Sequence, residues 1–131
     1  MVKDDGQALV EFALVLPFLL LFAYAILLIA EIGVVRVALE HAASEGARAG
    51  SLTNDDDVIT DAVRSAATSL VPERVRMTIS PGEHDAPRSG DPRGSRLRVD
   101  LVYAVPVPLA FAGLPAVTVR SSATRLIEWT P

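Results

Sequence analysis

The feature that most constrains this chain is an uncharged apolar run near its N-terminus. Phe12 to Ala30 read FALVLPFLLLFAYAILLIA, 19 residues without a charged side chain, and Glu11 and Glu31 flank the run. As an α-helix rising about 1.5 Å per residue, the run is roughly 28 Å long, close to the ~30 Å hydrocarbon thickness of a bilayer. A chain of 131 residues has too little other material to surround such a helix in a soluble core. The run therefore predicts one transmembrane span.

A cleavable secretory signal is the competing interpretation of this run. The tripeptide AYA at 23–25 has the small-x-small form of a signal-peptidase site. The apolar run continues through 26–30, however, and the leader MVKDDG has no net positive charge, so a retained anchor is favoured. Lys3 precedes the span and Arg36 follows it, so the positive-inside count does not support a cytoplasmic N-terminus. The charges alone do not set the topology.

Composition and motifs argue against catalysis, metal binding and nucleic-acid binding. The chain has 12 Lys and Arg against 16 Asp and Glu, a net charge of -4 that gives no basic field for DNA or RNA. It has no cysteine, so it offers neither a disulfide framework nor a thiolate metal site. Its two histidines stand in unlike contexts, and no nucleophile motif or phosphate-binding loop occurs. We therefore expect no enzyme activity, no catalytic residue, no metal and no cofactor.

The helical pattern continues beyond the span. Residues 32–50 contain no proline and keep apolar residues at helical spacing, which predicts a stalk helix up to about Gly50. Ala38, Ala42, Gly46 and Gly50 recur every four residues and form a stripe of small side chains. Such a stripe either admits a partner close to the backbone or packs on the chain's own domain, and we favour the second interpretation.

A second helix and three strands are predicted after the stalk. Asp55 to Asp57 suit the N-terminus of a helix that ends near Leu70. Alternating apolar and polar residues then predict three strands, at about 75–79, 97–105 and 116–128. The connectors are too short for a crossover helix, so the sheet should be antiparallel. The predicted fold class is α+β: a long N-terminal transmembrane helix continuing into a stalk, a second helix, and a three-stranded antiparallel sheet.

The two connectors between the strands differ in character. Residues 81–95, PGEHDAPRSGDPRGS, hold three prolines and three glycines, which predicts an exposed, mobile loop with little to bury. His84 lies in this loop, where a solvated side chain is favoured over a metal ligand. Residues 105–115, VPVPLAFAGLP, are apolar. This second connector should either contact the bilayer surface or a partner, or pack over the end of the sheet.

The residues at the start of the run resemble a type IV prepilin-peptidase site. Gly6 is followed by QALVEF, so Glu11 is the fifth residue after the glycine. Together with HAASEGARAG after the span and SSATRLIEW near the C-terminus, this sequence pattern resembles the TadE-like family of tight-adherence minor pilins, or pseudopilins. The resemblance implies cleavage between Gly6 and Gln7, and assembly roles for Glu11 and Phe12.

The charge of Glu11 is compatible with two roles. A carboxylate within an apolar helix is costly, and it is best retained where a cation such as the new amino group of Gln7 neutralises it. A carboxylate that merely sits at headgroup level explains the charge equally well.

The same resemblance implies a domain organisation, a location and a set of partners. Residues 1–6 would be a leader peptide, 7–50 the transmembrane and stalk helix, and 51–131 a small extracytoplasmic α+β head of pilin-like form. The protein would be a single-pass subunit of the cytoplasmic (inner) membrane, or associated with the pilus, that supports assembly of a tight-adherence pilus. Its partners would be a prepilin peptidase, the major pilin and other minor pilins, platform membrane proteins, a secretion ATPase and membrane lipid. The alternative is a plain bitopic membrane-anchored binding or sensing module that enters no pilus.

Overall fold

A computed structural model describes residues 2–108, 113 and 116–130, with side chains from residue 6 onward. The described elements are helices α1 (Val2–Thr53) and α2 (Asp56–Ala66), a 3-10 turn (Pro72–Arg74), and strands β1 (Val75–Ser80), β2 (Arg96–Val105) and β3 (Val117–Leu126). The chain divides into two units, Met1–Gly33 and Val34–Pro131, each taken by itself below. The element order confirms the predicted α+β fold.

Helix α1 is longer than predicted at both ends. It begins at Val2, not near Gln7, because the acidic residues of the leader suit a helix N-terminus. It passes through Pro17, which removes one backbone donor without ending the helix. At the other end Asn54, with φ 53°, takes the left-handed conformation that closes many helices, and its N–H donates to the Gly50 carbonyl at 2.9 Å.

The predicted capping role of the aspartates at the start of α2 is confirmed. The Asp55 carboxylate accepts hydrogen bonds from the backbone N–H groups of Asp57 at 2.8 Å and Val58 at 3.2 Å. These contacts satisfy two of the donors that a helix start leaves free. The helix ends at Ala66, four residues before the predicted Leu70, because the chain turns there before Val71-Pro72.

The sheet has the order β1-β2-β3, and both pairs are antiparallel as predicted. Its central strand β2 alternates buried and outward side chains, and the buried set is Leu97, Val99, Leu101, Tyr103 and Val105. Strand β3 ends two residues before the predicted Glu128, because residues 127–129 bond elsewhere. The N–H groups of Glu128 and Trp129 both donate to the Ser51 carbonyl, at 2.8 and 3.1 Å. The segment after the sheet is thereby fastened to the last turn of α1.

The small-residue stripe of α1 packs on the chain's own domain, as predicted. A Cβ added to Gly46 would lie 2.5 Å from Val63 Cγ2 and 3.6 Å from Val99 Cγ1. A Cβ added to Gly50 would lie 2.5 Å from Ile59 Cδ1 and would also clash with Leu97. Position 46 therefore meets Val99 while position 50 meets Leu97, so β2 runs antiparallel to this part of α1. The core of the unit lies where α1, α2 and the inner face of the sheet converge.

The prediction of an exposed β1–β2 loop with little to bury is wrong at Arg88. Its side chain is fully buried. Its Nε donates to Asn54 Oδ1 at 2.9 Å, and its Nη1 donates to Asp56 Oδ1 at 2.6 Å and to the Pro81 carbonyl at 2.8 Å. Composition gave no sign of this contact, because both side-chain acceptors lie at the α1–α2 junction, more than thirty residues earlier in the chain.

The apolar connector was predicted at 105–115, and within it residues 109–112 and 114–115 lie outside those described. Of its flanks, Val105 and Val107 are buried. The connector's bilayer or partner contact stays a prediction.

Candidate functional site: the start of the N-terminal helix

All four predicted site residues lie on α1, within the unit Met1–Gly33. Gly6, Gln7, Glu11 and Phe12 are all exposed. A Cβ added at Gly6 would meet nothing within 4 Å, so the described residues leave room at this position. The Gly6–Gln7 bond is nevertheless inside a helix. A peptidase that cuts an extended chain must therefore unwind this turn first, and glycine lowers the cost because it is a poor helix former, about 1 kcal/mol worse than alanine.

Gln7 and Glu11 are brought together by one helical turn. The Gln7 side-chain amide donates from Nε2 to Glu11 Oε1 at 3.2 Å. Residues four apart share one helix face, so the sequence spacing alone suffices for this contact. The same spacing would place the backbone nitrogen of Gln7 about 6 Å along the axis from Glu11. A carboxylate at this position can therefore interact with Gln7 through its side chain, and through a terminal amine if the chain begins there.

Phe12 does not join this pair. It follows Glu11 directly and so points about 100° around the helix from it. Its ring is 60 % exposed, and its neighbours Leu9 and Val10 are 71 % and 60 % exposed. The carboxylate of Glu11 thus stands at the edge of an apolar surface that the described residues do not cover. Such a surface is stable only in lipid or against other apolar helices.

The apolar run has the properties of a membrane span. Among the described residues, one helix is long and apolar enough to cross a bilayer, Gly6–Thr53, with an 18-residue window of mean hydropathy 2.8. None of that window is buried by the rest of the protein. A core helix of a soluble protein passes the same test of composition, but it would be covered by other elements. Its exposure separates it from a soluble core helix, whereas a signal sequence near the N-terminus passes the same test.

The rest of the described chain offers little for chemistry. No cluster of three potential metal ligands occurs among the residues whose placement is described. The cavity between α2 and β1, about 430 Å³, is lined mostly by apolar side chains together with Arg64 and Glu73. No nucleophile is held beside a base there. The fold therefore directs attention to surfaces rather than to a reaction centre.

One of three comparisons with known proteins finds a match, and it covers the N-terminal part of the chain. A family model described as TadE-like protein matches residues 6–48, about a third of the chain. The match confirms the resemblance over the site and the helix that follows it, and it does not extend to the SSATRLIEW segment. No curated protein matches the chain. No solved structure matches it.

Proposed function

We propose, from the TadE-like match over residues 6–48, that this protein is a membrane-anchored pilin-like subunit, or pseudopilin, that supports assembly of a tight-adherence pilus. The observation that carries the proposal is the combination at one helix start: an accessible Gly6, Glu11 one turn beyond Gln7, and an uncovered apolar helix after them. The family is a structural, pilus-related one, and the described surfaces suit assembly better than catalysis.

The proposed organisation follows the same boundaries as the sequence. Residues 1–6 are a leader on the cytoplasmic side, 7–50 anchor the protein in the inner membrane and form the stalk, and 51–131 form a head outside the cytoplasm. The partners are a prepilin peptidase, the major and other minor pilins, platform membrane proteins and a secretion ATPase. The stalk part of α1 also forms part of the head's core through Gly46 and Gly50.

The proposed mechanism of Glu11 is charge neutralisation in an apolar environment. Cleavage before Gln7 creates a positively charged amine about one turn from the carboxylate, in the same subunit or in an axially shifted neighbour. An ion pair between two subunits in an apolar bundle fixes their register even when its net stabilisation is small. The Gln7 side chain already donates to Glu11, so it can hold the carboxylate in place before the partner arrives.

Processing between Gly6 and Gln7 is the first expected result. The native protein should lack residues 1–6, and Gly6→Leu should retain them, because a bulky side chain obstructs recognition next to the scissile bond. Intact mass and N-terminal sequencing of the membrane-extracted protein report both. Gly33→Leu is the matched control, since Gly33 is also an open helical glycine but lies far from the junction. A native N-terminus at Met1 or at Ile26 would contradict the proposal.

Loss of assembly in Glu11→Gln is the second expected result. The variant keeps the side-chain shape and a hydrogen-bonding oxygen for Gln7, so insertion and processing should match the wild type. It lacks the charge that pairs with an amine, so surface pili, counted by electron microscopy, should fall at least about tenfold. Glu31→Gln, at the other flank of the span, should leave piliation unchanged.

A plain membrane-anchored binding or sensing module is the second candidate. Two features of Glu11 favour the anchor function. Its carboxylate already accepts a hydrogen bond from Gln7 of its own chain. It also lies at the edge of the span, where a charge is tolerated. In that case Glu11→Gln would leave every property of the protein intact. Full piliation in this variant would therefore assign the anchor function instead.

A further inference from the structure

The charges of the head are separated in space. The outward side chains of the sheet include Arg76, Arg96, Arg98 and Arg120 and one carboxylate, Asp100. This set is called the basic sheet face, and it carries three net positive charges. The unit Val34–Pro131 has 11 Arg against 12 Asp and Glu, a net charge of -1, so its other surfaces carry four net negative charges. A small head with such a division has a strong internal charge asymmetry.

The basic sheet face has the form of a docking surface. Arg76 and Arg120 both lie opposite Val102, on the two outer strands, so their Cα atoms are about 10 Å apart on either side of this residue. Arg98 is held by Asp100 at 2.9 Å, whereas the other three arginines have no ion pair within the described part of the chain. A concavity of about 390 Å³ lies over Asp100, Val102 and Arg120.

The negative charges gather at the start of α2. Asp57 and Asp61 stand four residues apart on the exposed side of the helix, away from the buried Ile59 and Val63. Glu83 of the β1–β2 loop is drawn to the same place, since its carboxylate accepts from the Asp56 N–H at 3.2 Å. Asp56 itself is paired with Arg88. The acidic pole is the set Asp55, Asp57, Asp61, Glu83 and Asp85.

We propose that the basic sheet face of one head docks on the acidic pole of a second copy of this chain. The occupant is a second copy because the acidic pole of this chain presents five carboxylates that complement the positive charge of the basic sheet face. The two surfaces are different, so the contact is heterologous, and such contacts produce open rows instead of closed dimers. Helix α1 runs along the sheet beside β2. A row of copies joined through their basic sheet faces therefore has the stalks of neighbouring copies side by side. This inference rests on the membrane anchoring proposed above, which holds all copies in one orientation.

The weakness of exposed ion pairs determines the conditions under which the row forms. Exposed ion pairs contribute little one by one, so the row needs several pairs and a raised local concentration. Confinement to one membrane provides the second condition. Exposed charges are also screened by salt, over about 10 Å at 0.1 M and about 3 Å at 1 M. The row should therefore form in the membrane at low ionic strength and dissociate at high ionic strength.

Thiol cross-linking of the full-length chain tests this contact without background, since the native sequence has no cysteine. Ser122 lies on the basic sheet face, and Ser65 continues the exposed Asp57–Asp61 side of α2; both are exposed. The S65C/S122C protein in neutral phosphatidylcholine vesicles, treated with a short bismaleimide at 0.1 M salt, should give a ladder of dimers, trimers and larger species. At 1 M salt the ladder should fall at least about fivefold. A 1:1 mixture of the single-cysteine proteins should give cross-linked dimers and nothing larger.

Neutralising variants identify the surfaces. In the double-cysteine background, R76S/R120S and D57N/D61N should each reduce the ladder at least about fivefold. R93S/R125S removes two exposed arginines that lie outside the basic sheet face, and it should leave the ladder intact. Tryptophan emission of Trp129, the one tryptophan in the chain, checks that every variant is folded.

Three outcomes overturn the proposal. A monomeric S65C/S122C protein excludes the contact, and dimers formed by S122C alone show a symmetric contact instead. A monomer that is retained on a sulfated-polysaccharide resin through Arg76 and Arg120 assigns the face to a polyanion. All three leave the processing and Glu11 results untouched, so failure of this inference is distinguishable from failure of the proposed function.

Discussion

Gly50→Val is expected to destabilise the head strongly. A Cβ at this position already lies 2.5 Å from Ile59 Cδ1 and 2.7 Å from Ile59 Cγ1, and it also clashes with Leu97. Both neighbours are fully buried, so neither can move into solvent. Overpacked cores lose typically about 1–3 kcal/mol, and valine adds two further methyl groups. The better helix propensity of valine returns less than about 1 kcal/mol, so the net effect should remove much of the stability of a small domain.

Thermal unfolding of the detergent-solubilised chain, followed by Trp129 emission, measures this effect. The tryptophan reports on the head because its N–H bonds to the Ser51 carbonyl one residue beyond Gly50. Gly33→Val is the control, because a Cβ there meets nothing within 4 Å. Gly50→Ala should lie between the wild type and Gly50→Val. Equal melting of the Gly33 and Gly50 valine variants would show that the stripe does not pack on its own domain.

Arg88→Met is expected to produce the second large loss of stability. Methionine can fill much of the apolar volume of arginine, but it gives nothing to Asn54 Oδ1, Asp56 Oδ1 or the Pro81 carbonyl. Removing one partner of a buried pair commonly costs about 3–5 kcal/mol. Asp56 remains about a third exposed, so solvent offsets part of this, and about 2–3 kcal/mol is the expected loss in unfolding free energy.

The matched control is Arg93→Met, in the same loop but at an exposed position, which should change stability by less than about 0.5 kcal/mol. Chemical denaturation at constant detergent concentration compares the two variants. The buried contact also changes the expectation for the loop as a whole. Shortening residues 81–95 to a tight turn should cost at least as much as Arg88→Met, and a fully stable head in that deletion would refute the anchoring role of Arg88.

The sequence predicted those parts of the fold that depend on local pattern. The apolar run predicted α1, the alternation of apolar and polar residues predicted the three strands, and Asp55 predicted the start of α2. The stripe of small residues predicted that this face of α1 is packed, but it did not identify the residues that pack against it. The structure shows that these are Ile59, Val63 and Leu97. Periodicity shows which face is buried but not what covers it, because that depends on contacts between distant parts of the chain.

Two features were beyond prediction from one sequence. Arg88 stands in a segment whose prolines and glycines are typical of solvated loops, and its burial depends on side-chain acceptors at the α1–α2 junction. The basic sheet face was hidden by a net charge of -4, which averages over surfaces that point in different directions. For the candidate site the motif was more informative than the physics. The spacing of Gln7 and Glu11 fixed their contact, whereas the edge position of Glu11 is compatible with two functions.

The bonds from Glu128 and Trp129 to Ser51 bear on how the protein reaches its place in the cell. They join positions separated by more than seventy residues, and strand β3 immediately precedes them. A head that folds around such distant contacts cannot complete its structure while residues 117–129 are still being delivered, and folding dominated by non-local pairing is slow. In the proposed topology the head crosses the membrane before it folds. In that topology, late closure would keep the chain open until these residues have passed, so premature folding would not block export.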